Sequence, residues 1–99
     1  MADLLEEAAV TAGLEDLPGW SRDSNAIVLD AALRDFPAAI AVVNQVAEVA
    51  EREGHHPDID IRWRTLTFRC STHSAGGITA LDLRMAGLIS EVLGKAAED

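Results

Sequence analysis

The histidines are the residues of this chain whose type and spacing fit a chemical role. His55, His56 and His73 fall within 19 residues, and the rest of the 99-residue chain has none. Imidazole titrates at about pH 6.5, so it gives or takes a proton at neutral pH with little tuning. Two or three such rings around one pocket divide the acid and base roles, each contributing about 10²–10⁴-fold to a rate. The grouping therefore predicts proton transfer, as in an elimination or a hydration.

Other interpretations of the histidines stay open at this level. A positive charge on His55 or His56 would be favourable at the end of the helix predicted before them, and His73 could be a solvated strand-end residue. A metal site needs three or four converging ligands, whereas adjacent side chains diverge. Cys70 lies on the predicted core face of a strand, where a thiol acts as a small apolar group. We therefore expect no metal and no cofactor.

Composition narrows the class of protein. Seventeen Asp and Glu against 8 Lys and Arg give a net charge of −9 and a pI of about 4.6. This charge repels phosphate backbones and anionic lipids, so we expect no nucleic-acid or membrane partner. Hydrophobic residues at 48% suffice for one core, in a single domain spanning residues 1–99. A lone cysteine and an N-terminus without a signal-peptide pattern predict a soluble, cytoplasmic protein.

Hydrophobic periodicity predicts the elements that position the histidines. A short helix covers residues 3–12, with Asp3 as N-cap and Gly13 just past its end. A strand covers residues 25–33, and a weaker one lies around residues 20–24. The next helix is longer.

That long helix is predicted from Phe36 to Glu53 and ends at Gly54. Its apolar stripe consists of Phe36, Ile40, Val43, Ala47 and Ala50.

Two antiparallel strands follow the histidine pair. Ile59, Ile61 and Trp63 alternate with charged residues, and Leu66 and Phe68 begin a second alternation. The break of phase between Trp63 and Leu66 predicts a bulge or bend. The connection is too short for a crossover, so these strands must pair antiparallel.

The last helix is predicted over residues 80–93, after a flexible loop at residues 74–77. Thr79 and Asp82 form a capping box at its start, and Gly94 stops it. Its apolar face consists of Leu81, Met85, Leu88 and Val92. The order of elements predicts an α+β fold of two layers, with an antiparallel sheet covered by helices on one face.

The spacing of these residues resembles that of the pterin-4a-carbinolamine dehydratases. That family carries an acidic or polar residue, His-His-Pro, an aromatic, a third His and then an Asp beyond a Gly-rich loop, at fixed gaps. The matching residues here are Glu51, His55, His56, Pro57, Trp63, His73 and Asp82. The resemblance covers nearly the whole chain, from about residue 5 to residue 93.

The resemblance implies an enzyme that removes water from 4a-hydroxytetrahydropterin, giving the quinonoid dihydropterin in pterin recycling. His55, His56 and His73 take the family's catalytic positions. One imidazole would protonate the departing hydroxyl and another would accept a ring-nitrogen proton. Glu51, one turn before His55, would orient a histidine as a further catalytic residue.

The resemblance also implies a substrate-binding set. Trp63 would form a wall of the pterin pocket, although it could instead be a core residue on the Ile59 face. Pro57 would aim the two histidines. Asp82 matches the last motif position, although the capping box explains it without any ligand.

The resemblance further implies a four-stranded antiparallel sheet with three helices on one face. Members of the family form homodimers or homotetramers by joining sheet edges and packing helices. Two other functions compete with the dehydratase. One is a non-catalytic dimerisation or interaction module of the same fold, and the other is a metal hydrolase.

Overall fold

Three helices, separated by two pairs of strands, make up the part of the chain, residues 2–98, that the computed structural model describes. The helices are α1 (Glu7–Glu15), α2 (Phe36–Glu53) and α3 (Ala80–Glu98), and a short 3-10 helix (His73–Ala75) precedes α3. The strands are β1 (Ser21–Asp23), β2 (Ala26–Ala32), β3 (Asp58–Arg62) and β4 (Thr65–Cys70). They form one antiparallel sheet in the order β1-β2-β4-β3. The predicted α+β fold, with four antiparallel strands and three helices, is confirmed.

The core lies between the sheet and the helices. On β4, every second side chain is buried, so Leu66, Phe68 and Cys70 face the helices. The helix residues that meet them are small or aliphatic: Val10, Ala39, Val42, Val46, Ala50, Met85, Ala86, Ile89 and Val92. Cys70 is therefore a core residue, as predicted.

The bounds of α2 match the prediction, because both ends are determined locally. The Ala38 N–H donates to Oδ1 of Asp35 at 2.8 Å, which caps the first turn. Gly54 ends the helix in the left-handed conformation, at φ +66°.

The predicted stripe of α2 is right for Ala50, which is buried, and for Val43, which packs against the core, but wrong for the exposed Phe36 and Ala47. The buried residues are Ala39, Val42, Val46 and Ala50, whereas Phe36 is 47% exposed. Apolar side chains occur around much of this helix, so periodicity alone allows several faces. Docking on the sheet selects one of them.

The first helix begins and ends later than predicted. The Leu5 N–H donates to the Ile78 carbonyl at 2.9 Å, which keeps the chain before Glu7 extended. Gly13 is not a terminator but a contact point. A Cβ on it would lie 2.6 Å from Cδ1 of Leu83, so glycine lets α1 approach α3 closely.

The last helix continues through Gly94 to Glu98, so the predicted stop is wrong. A helical glycine costs only about 1 kcal/mol, which the surrounding turns offset. Met85 and Val92 are buried as predicted, but Leu81 is exposed, and Ala86 and Ile89 complete the buried face.

The break of phase after Trp63 is a tight hairpin turn rather than a bulge. Arg62 faces Thr65 across the β3–β4 pair, which leaves Trp63 and Arg64 as the two turn residues. Trp63 has φ +52° and is 71% exposed, with the Arg64 guanidinium 4.9 Å from its ring centroid. Its alternative role as a core residue is therefore excluded.

No helix within residues 2–98 combines the length and the apolar character needed to cross a membrane.

Burial should make Cys70 unreactive in the native protein. Burial, with smaller contributions from the charges of Asp82 and Asp58, raises the pKa of its thiol from 9.0 to about 12. Above about pH 9 the unfolded chain releases a thiol proton that the native protein retains, so the native state loses stability as pH rises. Native protein should therefore resist a thiol reagent that labels unfolded protein at once. In urea titrations between pH 8 and 10, Cys70→Ala should show a smaller loss of stability with pH than wild type. Equal pH slopes would contradict this account.

Candidate active site

The histidine pair lies at the exit from α2. The His55 N–H donates to the Ala50 carbonyl at 3.2 Å, which completes the helix end that Gly54 begins. Arg84, on the first turns of α3, donates to the Glu53 carboxylate. That hydrogen bond holds the pKa of Glu53 below its ordinary value. The exit from α2 is thus tied to the beginning of α3.

The centre of the site is the carboxylate of Asp82, which is fully buried in the first turn of α3. Its Oδ2 accepts the Thr79 N–H at 2.9 Å, which is half of the predicted capping box. The same oxygen accepts the Thr72 hydroxyl at 2.8 Å, and Oδ1 accepts Nε2–H of His55 at 2.6 Å. A carboxylate with three donors fits a buried negative charge, which must be compensated by hydrogen bonds.

The hydrogen bonds between the hydroxyls around Asp82 run in one donor-to-acceptor direction. Thr72 has one hydroxyl proton, and Asp82 accepts it. In the 2.7 Å contact between the two threonines, the Thr79 hydroxyl must therefore donate to Thr72. The Thr79 oxygen in turn accepts the Leu81 N–H at 3.2 Å. The chain of bonds begins at the backbone of α3 and ends on the carboxylate that holds His55.

These contacts determine the tautomer of His55. With Nε2–H donated to Asp82, the neutral ring carries its lone pair on Nδ1, the atom that can exchange a proton. The side chain of His55 is only 12% exposed, so the ring has little freedom to turn.

His56 also bonds to a carboxylate, but this pair is exposed to solvent. Its Nε2 bonds to Oε2 of Glu51, one turn back on α2. The two side chains are 61% and 78% exposed, so the pair contributes little to stability but orients the ring. The sequence paired Glu51 with a histidine, and the structure shows that this histidine is His56.

His73 begins the 3-10 helix directly after Thr72, at the end of β4 where Asp82 lies. Its side chain is exposed. Pro57 connects His56 to β3. All three histidines therefore emerge at one end of the sheet, around the beginning of α3.

Trp63, although predicted as a site residue, does not lie at this end of the sheet. It sits at the opposite end of β3, beyond Arg62. A strand rises about 3.4 Å per residue, so Trp63 lies roughly 20 Å from Pro57.

Thr72 and Thr79 are the residues that sequence reasoning left without a role in the site. Both are buried and both belong to the chain of bonds that reaches His55. A threonine directly before a candidate histidine is too common a pattern to identify this role. Only the contact between residues 72 and 82 reveals it.

The described residues contain no group of three or more His, Cys, Asp or Glu placed to hold a metal ion. Two grooves open instead on the helices, with volumes of about 280 and 370 Å³. One lies between β2 and the end of α3, the other between α2 and α3, and no histidine lines either of them.

Comparison with known sequences identifies relatives over most of the chain. A profile of the family described as pterin 4 alpha carbinolamine dehydratase matches residues 3–92. A protein of Nocardia farcinica is 53% identical over 90 residues, covering 91% of this chain and 95% of its own length. One from Roseiflexus castenholzii is 50% identical over 93 residues, covering 94% of this chain and 100% of its own. Both carry the provisional name pterin-4-alpha-carbinolamine dehydratase.

Solved structures share the fold. A transcriptional coactivator/pterin dehydratase from Brucella melitensis superposes with a TM-score of 0.88 at 29% identity, over 91% of this chain and 98% of its own. A pterin dehydratase-like protein described as a RuBisCO assembly factor in the alpha-carboxysome gives a TM-score of 0.63 at 14% identity, over 76% and 87%. The second likeness concerns the fold alone.

The buried hydroxyl of Thr72 should stabilise the protein more than an exposed one does. Thr72→Val keeps the volume but leaves Asp82 short of a donor, which should lower the free energy of unfolding by about 1.5–3 kcal/mol. Thr67→Val is the matched control, because its hydroxyl donates to Asp30 at 2.8 Å on the exposed surface of the sheet. We expect that change to cost less than about 1 kcal/mol. If urea titrations gave the two variants equal losses of unfolding free energy, the role of Asp82 as a buried acceptor that needs the Thr72 hydroxyl would be contradicted.

Proposed function

This chain belongs to the pterin 4α-carbinolamine dehydratase family, and we propose from this that it removes water from a 4a-hydroxytetrahydropterin. The product is the quinonoid dihydropterin. The observation that carries the proposal is the buried hydrogen bond between Asp82 and His55, which sets one imidazole in a single tautomer.

The reaction needs a proton given and a proton taken. The bond between C4a and the hydroxyl oxygen breaks as an acid protonates the oxygen, and a base removes a proton from the ring nitrogen. The bond from that nitrogen to C4a becomes double, and one water leaves. His55, His56 and His73 are the candidate catalytic residues, because all three emerge at one end of the sheet.

The carboxylates act through the histidines. Asp82 holds His55 and Glu51 holds His56, so each acid is a positioning residue for its partner's ring. Pro57 restricts the backbone directly after His56. No step requires a cofactor.

The activity serves pterin recycling in tetrahydrobiopterin metabolism, in the cytoplasm. The protein acts as a homodimer or homotetramer.

A second candidate function is protein binding without catalysis. The relative from Brucella melitensis is described as a transcriptional coactivator as well as a pterin dehydratase. The groove between α2 and α3, with Gln45, Glu48 and Arg52 on one side, is the surface that such a role would use. A folded protein that leaves the carbinolamine's decay unchanged would favour this function.

Removing the histidines should separate the two functions. The decay of freshly generated 4a-hydroxytetrahydropterin, followed by ultraviolet absorbance, should be accelerated by wild type. His55→Ala, His56→Ala and His73→Ala should each be tested, and removal of the acid or the base should lower the rate by about 10²–10⁴-fold. Thr11→Ala, on the exposed side of α1, should keep the wild-type rate. Full activity in all three histidine variants would exclude the proposed chemistry.

A further inference from the structure

A closed loop carries His73, and most of its backbone hydrogen bonds meet at one residue, Thr72. The Thr72 carbonyl accepts three N–H groups, those of Ala75, Gly76 and Gly77, at 3.1, 3.0 and 3.3 Å. The Thr72 N–H donates to the Gly77 carbonyl at 2.8 Å, which closes the loop at its base. The orientation of the segment that presents His73 therefore depends on where Thr72 is held.

The side chain of Thr72 connects this loop to the carboxylate that holds His55. Its hydroxyl donates to Oδ2 of Asp82 at 2.8 Å, and Oδ1 of the same carboxylate accepts Nε2–H of His55 at 2.6 Å. Thr72 is 5% exposed and Asp82 is fully buried. Hydrogen bonds in a low-dielectric interior are stronger than the same bonds in water. Two buried side chains thus connect the loop of His73 to the ring of His55.

His56 is held in a different way. Its ring bonds to Glu51, five positions back along the chain, and both side chains are largely exposed. The three candidate histidines therefore fall into two sets. His55 and His73 share the anchor made by Thr72 and Asp82, whereas His56 depends on Glu51.

Thr72 is too buried to reach a ligand. Its hydroxyl proton is engaged by Asp82, and the Thr79 hydroxyl donates to one of the lone pairs of the same oxygen at 2.7 Å. Any effect of this side chain on a reaction must therefore pass through the groups that it holds.

We propose that Thr72 is the positioning residue that fixes His55 and His73 relative to each other, through its hydroxyl on Asp82 and its backbone in the loop. The inference rests on the proposed dehydratase function. That reaction gives one proton and takes another on a single substrate, so the acid and the base must keep a fixed separation. A misplacement of about 1 Å costs about 10²-fold in rate. A buried hydroxyl therefore controls the rate without contacting the substrate.

Removing the hydroxyl should lower kcat and leave KM nearly unchanged. Thr72→Val keeps the volume of the side chain and the backbone of the loop, but it no longer bonds to Asp82. We expect kcat for the decay of 4a-hydroxytetrahydropterin to fall roughly 10–100-fold. KM should stay within about twofold of wild type, because the hydroxyl does not touch the substrate. Thr72→Ser retains the donor and should restore most of kcat. An unchanged kcat in Thr72→Val, or no recovery in Thr72→Ser, would overturn the proposal.

Two further variants separate this effect from a general loss of stability. Val46→Ala opens a cavity in the core two turns before the end of α2, so it destabilises the fold while leaving the histidines in place. Thr67→Val removes a hydroxyl on the exposed face of the sheet, where it donates to Asp30. Both should keep the wild-type kcat at a temperature where circular dichroism shows native protein. If Val46→Ala loses as much kcat as Thr72→Val, the loss reflects instability and the proposal fails.

Double variants test which histidines Thr72 acts through. In a chain that already carries His55→Ala or His73→Ala, Thr72→Val should lower kcat by less than about twofold, because the group that it positions is gone. In the His56→Ala background it should keep its full effect, because Glu51 holds that ring separately. Rates are to be measured above the uncatalysed decay. An equal loss in all three backgrounds would overturn the proposal, and a full loss in the His73→Ala background would refute the link to the loop.

Amide hydrogen exchange tests the anchor without any activity. The buried N–H of Gly77 bonds to the Thr72 carbonyl, so its exchange with deuterium reports on the closure of the loop. Thr72→Val should speed this exchange by at least about tenfold, whereas Val46→Ala should not, because a loop amide exchanges by local opening. Thr72→Ser should exchange like wild type. An unchanged rate in Thr72→Val would refute the anchoring of the loop.

The two kinds of measurement separate the possible failures. A wild type that does not accelerate the decay of the carbinolamine would refute the dehydratase function and with it the kinetic role of Thr72. Exchange at Gly77 would still decide whether the Thr72 hydroxyl anchors the loop of His73.

Discussion

The buried charge of Asp82 is the constraint on which the rest of the site depends. An unpaired carboxylate in a protein interior costs several kcal/mol, so its oxygens must find donors. The donors here come from the start of α3, the end of β4 and the exit from α2. One side chain thus joins three elements that are distant in sequence. The imidazole that it holds has its other nitrogen left for proton exchange.

Stability and chemistry use the same contacts at this end of the sheet. Helix capping by Asp82 orders α3 and simultaneously orients His55. His56 and Glu51 form a second histidine–carboxylate pair, but a solvent-exposed one. Its hydrogen bond orients the ring and contributes little to the stability of the fold. Replacing a member of the buried His55–Asp82 pair should therefore destabilise the fold more than replacing a member of the exposed His56–Glu51 pair. At the other end of β3, Trp63 is exposed on a tight turn, away from the histidines.

Much of the fold could be predicted from the sequence, because many of its determinants are local. Asp35 and Gly54 define the ends of α2, and the short link between β3 and β4 allows only an antiparallel pair. Helix faces were harder to predict. On α2 the apolar residues surround much of the helix, and burial of Ala39 and Val46 rather than Phe36 follows from how the helix docks. Gly13 was predicted to end the helix because glycine is common just past a helix end. Its contact with Leu83 joins residues seventy positions apart, so no local pattern in the sequence reveals it.

The sequence by itself determined the order of elements, the capping box of Thr79 and Asp82, and the family spacing of the histidines. Each of these depends on residues close together in the chain. The tertiary structure decided that Asp82 also binds His55, 27 residues away, and that Thr72 supports it. It also decided that Trp63 lies at the far end of β3. Such contacts depend on the angles at which helices pack on a sheet, and one chain's local pattern does not encode those angles.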